Sequence, residues 1–275
     1  MMSVIELVKA PVWDNLLPWL RHGFSTRQGG QTTVYGGHSL NLGWTKEDEP
    51  HNVQANRRAF VAAVAGPGTE MPLVTIRQVH SAIVKAVGVE ALTGNLARPE
   101  GKAVLEGDGL ITNVPGVLIS AGTADCVPVL LVDRARRVVG ALHAGWRGTV
   151  AGIVGEGISL MRDQYGSQSK DLLAAVGPSI GGCCYAVGAE VREQFAEAFS
   201  YGHELFRQEK DQLYVDLWQA NRRQLLDAGI SSDSITVIGE CTACSRTSDG
   251  ERKYFSHRAE KGSAGRMLNS IGIVS

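Results

Sequence analysis

The chain has 275 residues, 44% of them hydrophobic and 20% charged, with 27 basic and 28 acidic side chains for a formal net charge of −1. That length and apolar share fit a globular protein with a sizeable core, and the near-neutral charge supplies no basic field for nucleic acid. No apolar run approaches the roughly 20 residues of a membrane span; the start MMSVIELVKAPVWDN lacks the basic-then-apolar order of a secretory leader; and five cysteines, two of them adjacent, make a poor disulfide framework, so a cytoplasmic location is expected.

In chain order, residues 11–20 gather Trp13, Leu16, Leu17, Trp19 and Leu20 into an early buried piece. HGFSTRQGG, residues 22–30, ends in a Gly29-Gly30 turn signal beside Arg27. It reads as a hairpin turn or as an anion-binding loop. SLNLGW, residues 39–44, is a second glycine-ended loop carrying the Asn41 amide. Residues 50–65 read as a helix with Val53, Phe60, Val61 and Val64 on its buried face and Arg57 and Arg58 outside, stopped by Gly66-Pro67-Gly68. Residues 73–80 and 82–89 alternate like a strand pair, and 90–107 read as a long polar loop. GDGLIT, residues 107–112, starts a strand with Asp108 at its entry.

Residues 121–149, AGTADCVPVLLVDRARRVVGALHAGWRGT, hold the most chemistry. Cys126 opens the apolar run VPVLLV, and His143 closes VVGAL. His80 ends the alternating run LVTIRQV. Polar residues at strand tips beside turns commonly converge on one site, and one cysteine with two histidines is a set that zinc accepts while leaving a position open. The residues alone also allow a buried small cysteine and two ordinary loop histidines. Beyond HAGWRG a helix is expected with Val150, Ile153, Val154, Ile158 and Met161 on one face and Gly166 past its end. Its start beside Arg147 reads either as a phosphate or carboxylate cradle or as the setting of a structural ion pair.

Residues 172–188 run from a buried strand into a Gly/Pro turn. A helix near 189–199, a short strand at 214–216, a helix at 217–228 and a strand at 235–240 follow. Cys241 and Cys244 form a lone CxxC; with no second CxxC it reads as one packed cysteine and one incidental one. The tail offers His257, Arg258 and Arg266 around a glycine turn, then a last strand. Strands that succeed one another without intervening helices argue for mixed sheets with helices outside. No dinucleotide, P-loop or nucleophile-elbow motif is present.

TADCVPVLL, HAGWRG, GPSIGGCCY and the closing CTAC, YFSHR and GRM resemble the YfiH/YlmD laccase-domain family, and the likeness runs from HGFSTRQGG to the final GRM. Ala186 departs from it, standing where the family often has a glutamate. The resemblance implies one domain over residues 1–275, an α+β four-layer α/β/β/α sandwich with two mixed sheets. It also implies zinc held by His80, Cys126 and His143 as the catalytic centre.

Family members have been described as polyphenol oxidases, peptidoglycan-editing factors and purine nucleoside phosphorylases with adenosine deaminase activity. The implied function is therefore zinc-dependent phosphorolysis of adenosine, inosine, guanosine or methylthioadenosine, making the chain both transferase and hydrolase, and a monomer. Arg147 and Arg27 are the expected phosphate ligands. Asn41 and Asp125 complete the substrate-binding set, Asp125 either supporting a ligand histidine from behind or capping a turn. Three competitors stand beside this reading. In a cysteine hydrolase acting on cell-wall precursors, Cys126 is the nucleophile. In a non-catalytic binding protein, the three residues only stabilise the fold. A copper oxidoreductase would use His80, Cys126 and His143 as a His₂Cys copper centre, but none of the seven histidines forms a His-x-His pair for a trinuclear cluster.

Overall fold

The computed structural model describes residues 5–93, 96 and 101–274. The first four residues of the N-terminal segment, and residues 94, 95 and 97–100 of the loop expected at 90–107, therefore lie outside the described residues. In chain order the first elements are β1 (Leu7–Val8), α1 (Trp13–Leu16), β2 (Leu20–Ser25), β3 (Gln28–Thr32), α2 (Pro50–Ala65), β4 (Leu73–Thr75), β5 (Val84–Ala86), β6 (Gly109–Thr112) and β7 (Val117–Thr123). The middle of the chain supplies β8 (Val127–Asp133), β9 (Val138–Ala144), α3 (Trp146–Val150), α4 (Ile153–Tyr165), β10 (Leu172–Val176) and β11 (Ala186–Val187). The remainder gives α5 (Ala189–Ala198), β12 (Phe206–Glu209), β13 (Gln212–Val215), α6 (Leu217–Asp227), β14 (Ile235–Val237) and β15 (Met267–Ile273).

Two mixed sheets form the centre. One has the order β1-β2-β15-β7-β4 and the other β14-β10-β8-β9-β6-β5. Parallel pairs are β4 with β7, β5 with β6 and β10 with β14; the other neighbours run antiparallel. Strand periodicity explains the layers, because successive side chains point to opposite faces. On β8, Leu130 and Val132 pack between the sheets against Phe24, Ile119 and Ile271. Val129 and Leu131 face the other way, onto Val154, Ile158 and Met161 of α4 and Leu217 and Leu225 of α6. On the far side Leu118 and Leu268 meet Phe60 and Val64 of α2. The result is the expected α/β/β/α sandwich. A third, three-stranded sheet (β11-β13-β12) flanks it.

Three local expectations change. Residues 73–80 and 82–89 do not pair with each other: β4 belongs to the first sheet and β5 to the second. The chain crosses between the layers at residues 76–83, burying Ile76 in the inter-sheet core. The helix after HAGWRG is broken at Gly152, whose φ of 79° and ψ of 30° are left-handed and suit glycine, so Arg147 lies on the short α3. Arg57 turns inward, donating to the carbonyls of Leu42 and Gly101. Burial lowers its pKa to about 10.

His22 on β2 is a buried group with one allowed charge state. Its Nε2 accepts the Ala10 amide at 3.0 Å, which places the proton on Nδ1, 3.4 Å from Asp14. Burial, aided by Lys9 and opposed by Asp14, lowers its pKa to about 4. An unfolded histidine titrates near 6.5, so the unfolded state binds the extra proton first. The stabilisation is complete above pH 6.5 and is lost as pH falls toward 4, by about 3 kcal/mol. Urea unfolding of wild type and His22→Gln across this window is expected to show a shallower pH slope in the variant. Equal slopes would remove His22 as the cause.

Candidate metal centre and its cavity

Asp108 sits at the entry of β6 with no solvent exposure. Its carboxylate accepts the amides of Val79, His80 and Ser81, the Ser81 hydroxyl at 2.7 Å and His143 Nδ1 at 2.8 Å. Burial alone would raise its pKa, but the His143 and Ser81 contacts outweigh this and hold it at about 2. A single carboxylate thus fixes both the crossover carrying His80 and the imidazole of His143. His80 itself has a φ of 60°, an uncommon conformation for a non-glycine residue, sustained here by its amide bond to Asp108.

With Nδ1 committed to Asp108, His143 presents Nε2 to Cys126. Burial opposes ionisation of both groups. Their mutual attraction nevertheless lowers the Cys126 thiol to about 6 and raises His143 to about 9. The two histidine rings meet edge to face at a centroid distance of 5.1 Å. One donor atom from each of His80, Cys126 and His143 lies within 4.8 Å of the others. Gly145 closes the space: a Cβ there would stand 3.0 Å from Cys126 Sγ and 3.3 Å from His80 Cδ2. A thiolate, two imidazoles, a buried carboxylate orienting one of them and a hollow kept by glycine fit a zinc ion with an open position.

The three residues open onto a cavity of 790 Å³. Its wall includes Trp44 and Tyr185 and the cationic side chains of Arg57, Arg77, Lys102, Arg258 and Arg266. Arg258 lies 5.1 Å over the Tyr185 ring and donates to the carbonyl of Ala186. A backbone oxygen at position 186, not a side chain, anchors the arginine.

The other expected site residues divide. Asp125 lines the cavity beside Cys126 at a φ of 95°; its carboxylate accepts the Thr242 hydroxyl and the Arg258 amide, each at 2.7 Å. It braces two loops, the turn-capping alternative, and has no bond to His80 or His143. Arg27 is buried, paired with Glu260 at 3.0 Å, bonded to the Tyr35 carbonyl and stacked on Phe255 at 4.7 Å. Its guanidinium holds the fold and does not line the cavity. Asn41 is also buried, bonding Asp48, Gly43 and the Arg266 amide, so it positions Arg266 and does not reach the cavity. Arg147 is exposed, stacked on Trp146 at 4.3 Å, and is not part of the cavity wall.

None of the five cavity cations, Arg57, Arg77, Lys102, Arg258 and Arg266, is one that the sequence assigns to an anion; the SHR and GRM stretches are visible there, but not their convergence. The vicinal pair Cys183-Cys184 also meets Cys241 and Cys244, all four sulfurs lying within 4.8 Å of one another. Cys241 is packed, as expected, but Cys244 is not incidental: it belongs to this group.

Comparison with known proteins agrees with this fold. The family model described as "Multi-copper polyphenol oxidoreductase laccase" matches residues 21–274. The protein called purine nucleoside phosphorylase YlmD from Geobacillus stearothermophilus is 37% identical over 265 residues, covering 92% of this chain and 94% of that one. Purine nucleoside phosphorylase YfiH of Escherichia coli is 34% identical, covering 91% and 92%. The crystal structure of YlmD from G. stearothermophilus superposes with a TM-score of 0.86 at 34% identity, covering 100% and 98%. With these motifs, this fold and these relatives, the chain belongs to the laccase-domain family of YfiH- and YlmD-like proteins.

Proposed function

We propose that the protein is a zinc-dependent purine nucleoside phosphorylase that also deaminates adenosine. The observation that carries this reading is the joining, in one cavity, of the His80–Cys126–His143 donor set to a wall of arginine and lysine side chains. The names of the relatives supply the substrate class. Zinc at the three residues would supply a Lewis acid and a water of lowered pKa.

The rest of the reaction falls to the chain. Asp108 fixes the His143 tautomer and keeps the crossover segment in place. Arg258 and Arg266 hold inorganic phosphate, and the faces of Trp44 and Tyr185 receive the base. In phosphorolysis a phosphate oxygen bonds to C1′ as the C1′–N bond breaks. The electron pair leaves with the purine, which takes up a proton, and positive charge develops on the sugar. A phosphate held in place by guanidinium groups meets that charge without reorganisation. For adenosine, attack of water at C6 with loss of ammonia gives inosine.

A metal-free cysteine hydrolase is the second reading. It is favoured by the chain Asp108–His143–Cys126, which has the nucleophile–base–orienting-group pattern of such enzymes. Zinc on the thiolate and nucleophilic attack by that thiolate exclude each other, so metal dependence separates the two.

Purified protein given adenosine is expected to form adenine and ribose-1-phosphate only with phosphate, and inosine without it. Chelation should abolish both. Activity that survives chelation but is lost when Cys126 is alkylated would transfer the site to the hydrolase reading. Arg258→Ala is expected to raise the KM for phosphate about tenfold with zinc content unchanged, the loss of one charge-assisted contact of about 1.4 kcal/mol. Arg147→Ala should leave that KM within about twofold, and a large rise there would restore Arg147 to the phosphate site. Asp108→Asn should weaken zinc binding roughly 10- to 100-fold in a chelator competition, and unchanged affinity would show that the orienting bond is dispensable.

A further inference from the structure

The four cysteines that the catalytic proposal does not use lie on two loops that sequence places far apart. Cys183 and Cys184 follow the Gly181-Gly182 turn after β10, and Cys241 and Cys244 form a tight CxxC turn after β14. All four are free thiols. Their sulfurs lie within 4.8 Å of one another. The Cys183–Cys244 separation of 3.8 Å equals the sulfur–sulfur edge of about 3.8 Å in a zinc tetrahedron with Zn–S bonds of about 2.3 Å. We propose that Cys183, Cys184, Cys241 and Cys244 form a second, structural zinc site of the S₄ type.

The donors suit the metal. Four thiols and no oxygen or water-bearing position make a closed, soft site, the kind that binds zinc structurally and leaves no place for substrate. Cys241 is buried and accepts the Gly181 amide at 3.2 Å, so its sulfur is already oriented by the opposite loop. Binding releases the thiol protons to solvent and leaves four thiolates around one dication, a net charge of −2. Arg252 brings positive charge to the CxxC loop, donating to the Ala243 carbonyl at 2.9 Å, and Arg207, itself paired with Glu209, donates to the Gly182 carbonyl at 3.3 Å.

The site would rivet one wall of the catalytic cavity. The two loops are joined by Ser179 N to Glu240 O and Thr242 N to Ser179 O. Between the cysteine pairs and the cavity stand Tyr185, the next residue after Cys184, and Asp125, which accepts the Thr242 hydroxyl. Zinc here fixes the positions of both. This inference does not depend on the purine reading.

The test is zinc stoichiometry of the full chain after loading and gel filtration. Wild type is expected to hold two zinc ions per chain, Cys126→Ala one, and Cys183→Ser/Cys244→Ser one. A zinc that persists in Cys126→Ala supports the S₄ site even if the first site binds none. Loss of all zinc in Cys126→Ala would overturn the proposal. A second measurement needs no variant. Cys183 and Cys244 are exposed, yet in zinc-loaded protein they should resist iodoacetamide until chelator is added, as read by peptide mass spectrometry. Immediate labelling of both would overturn the site, as would labelling that requires a reductant, which would mean a disulfide.

Discussion

The buried carboxylate of Asp108 is the constraint on which the geometry of the His80–Cys126–His143 cluster depends. Placing a charge away from water costs several kcal/mol unless it is fully bonded. Here two oxygens accept three amides, one hydroxyl and one imidazole. Those partners come from two layers of structure: residues 79–81 on the crossover between sheets, and His143 near the end of β9. Satisfying the charge therefore requires the crossover to dock on the second sheet. The same docking delivers His80 to His143. Coupling of fold and site through one ion explains why His80 can hold a left-handed backbone conformation, since three consecutive amides cannot all reach Asp108 in an extended strand.

The sandwich supplies the third donor. Antiparallel pairing of β8 with β9 sets Val127 opposite Ala144 and Pro128 opposite His143. Cys126, one residue before β8, consequently lies at the same sheet end as His143. Gly145 follows at once and leaves the hollow between Cys126 and His80. Hydrogen-bond register alone thus converts two positions 17 residues apart into neighbours. The opposing charges of thiolate and imidazolium account for the shifts at Cys126 and His143, and a cation at that point would take over the role of the imidazolium proton.

Much of this was legible in the sequence, and the failures have physical causes. The continuous apolar runs of β8 and β9, the helix α2 with its glycine stop and the strand-tip positions of Cys126 and His143 follow from local pattern, which registers burial directly. Local pattern does not register partner choice. Residues 73–80 and 82–89 both alternate, and nothing nearby says that they join different sheets. Arg27 beside a Gly-Gly pair, which reads as a turn but lies in β3, looks the same whether its guanidinium faces an anion or Glu260, 233 residues away. Arg57 sits on the hydrophilic flank of a helix by periodicity, but its long side chain reaches carbonyls of Leu42 and Gly101. The cysteine cluster failed for the same reason: a vicinal pair and a CxxC are each weak signals, and only the contact between their loops makes them four donors.

Position 186 shows how a single side chain bears on the cavity. Its side chain is a methyl group, so the Arg258 guanidinium held at the Ala186 carbonyl has no carboxylate beside it from that residue. The salt bridges formed among the described residues do not include Arg258. A glutamate there would offer an internal anion to compete with a ligand for the same cation, whereas alanine leaves the positive charge directed at the cavity and its hydrogen bond to neutral backbone. Arg258 also stacks on Tyr185, next to Cys184, and its amide is held by Asp125, next to Cys126. The position of Arg258 at the cavity is therefore set by its neighbours and not by the arginine alone: Tyr185 follows Cys184 on one cysteine loop, and Asp125 holds the other, the loop of Cys241 and Cys244, through the Thr242 hydroxyl.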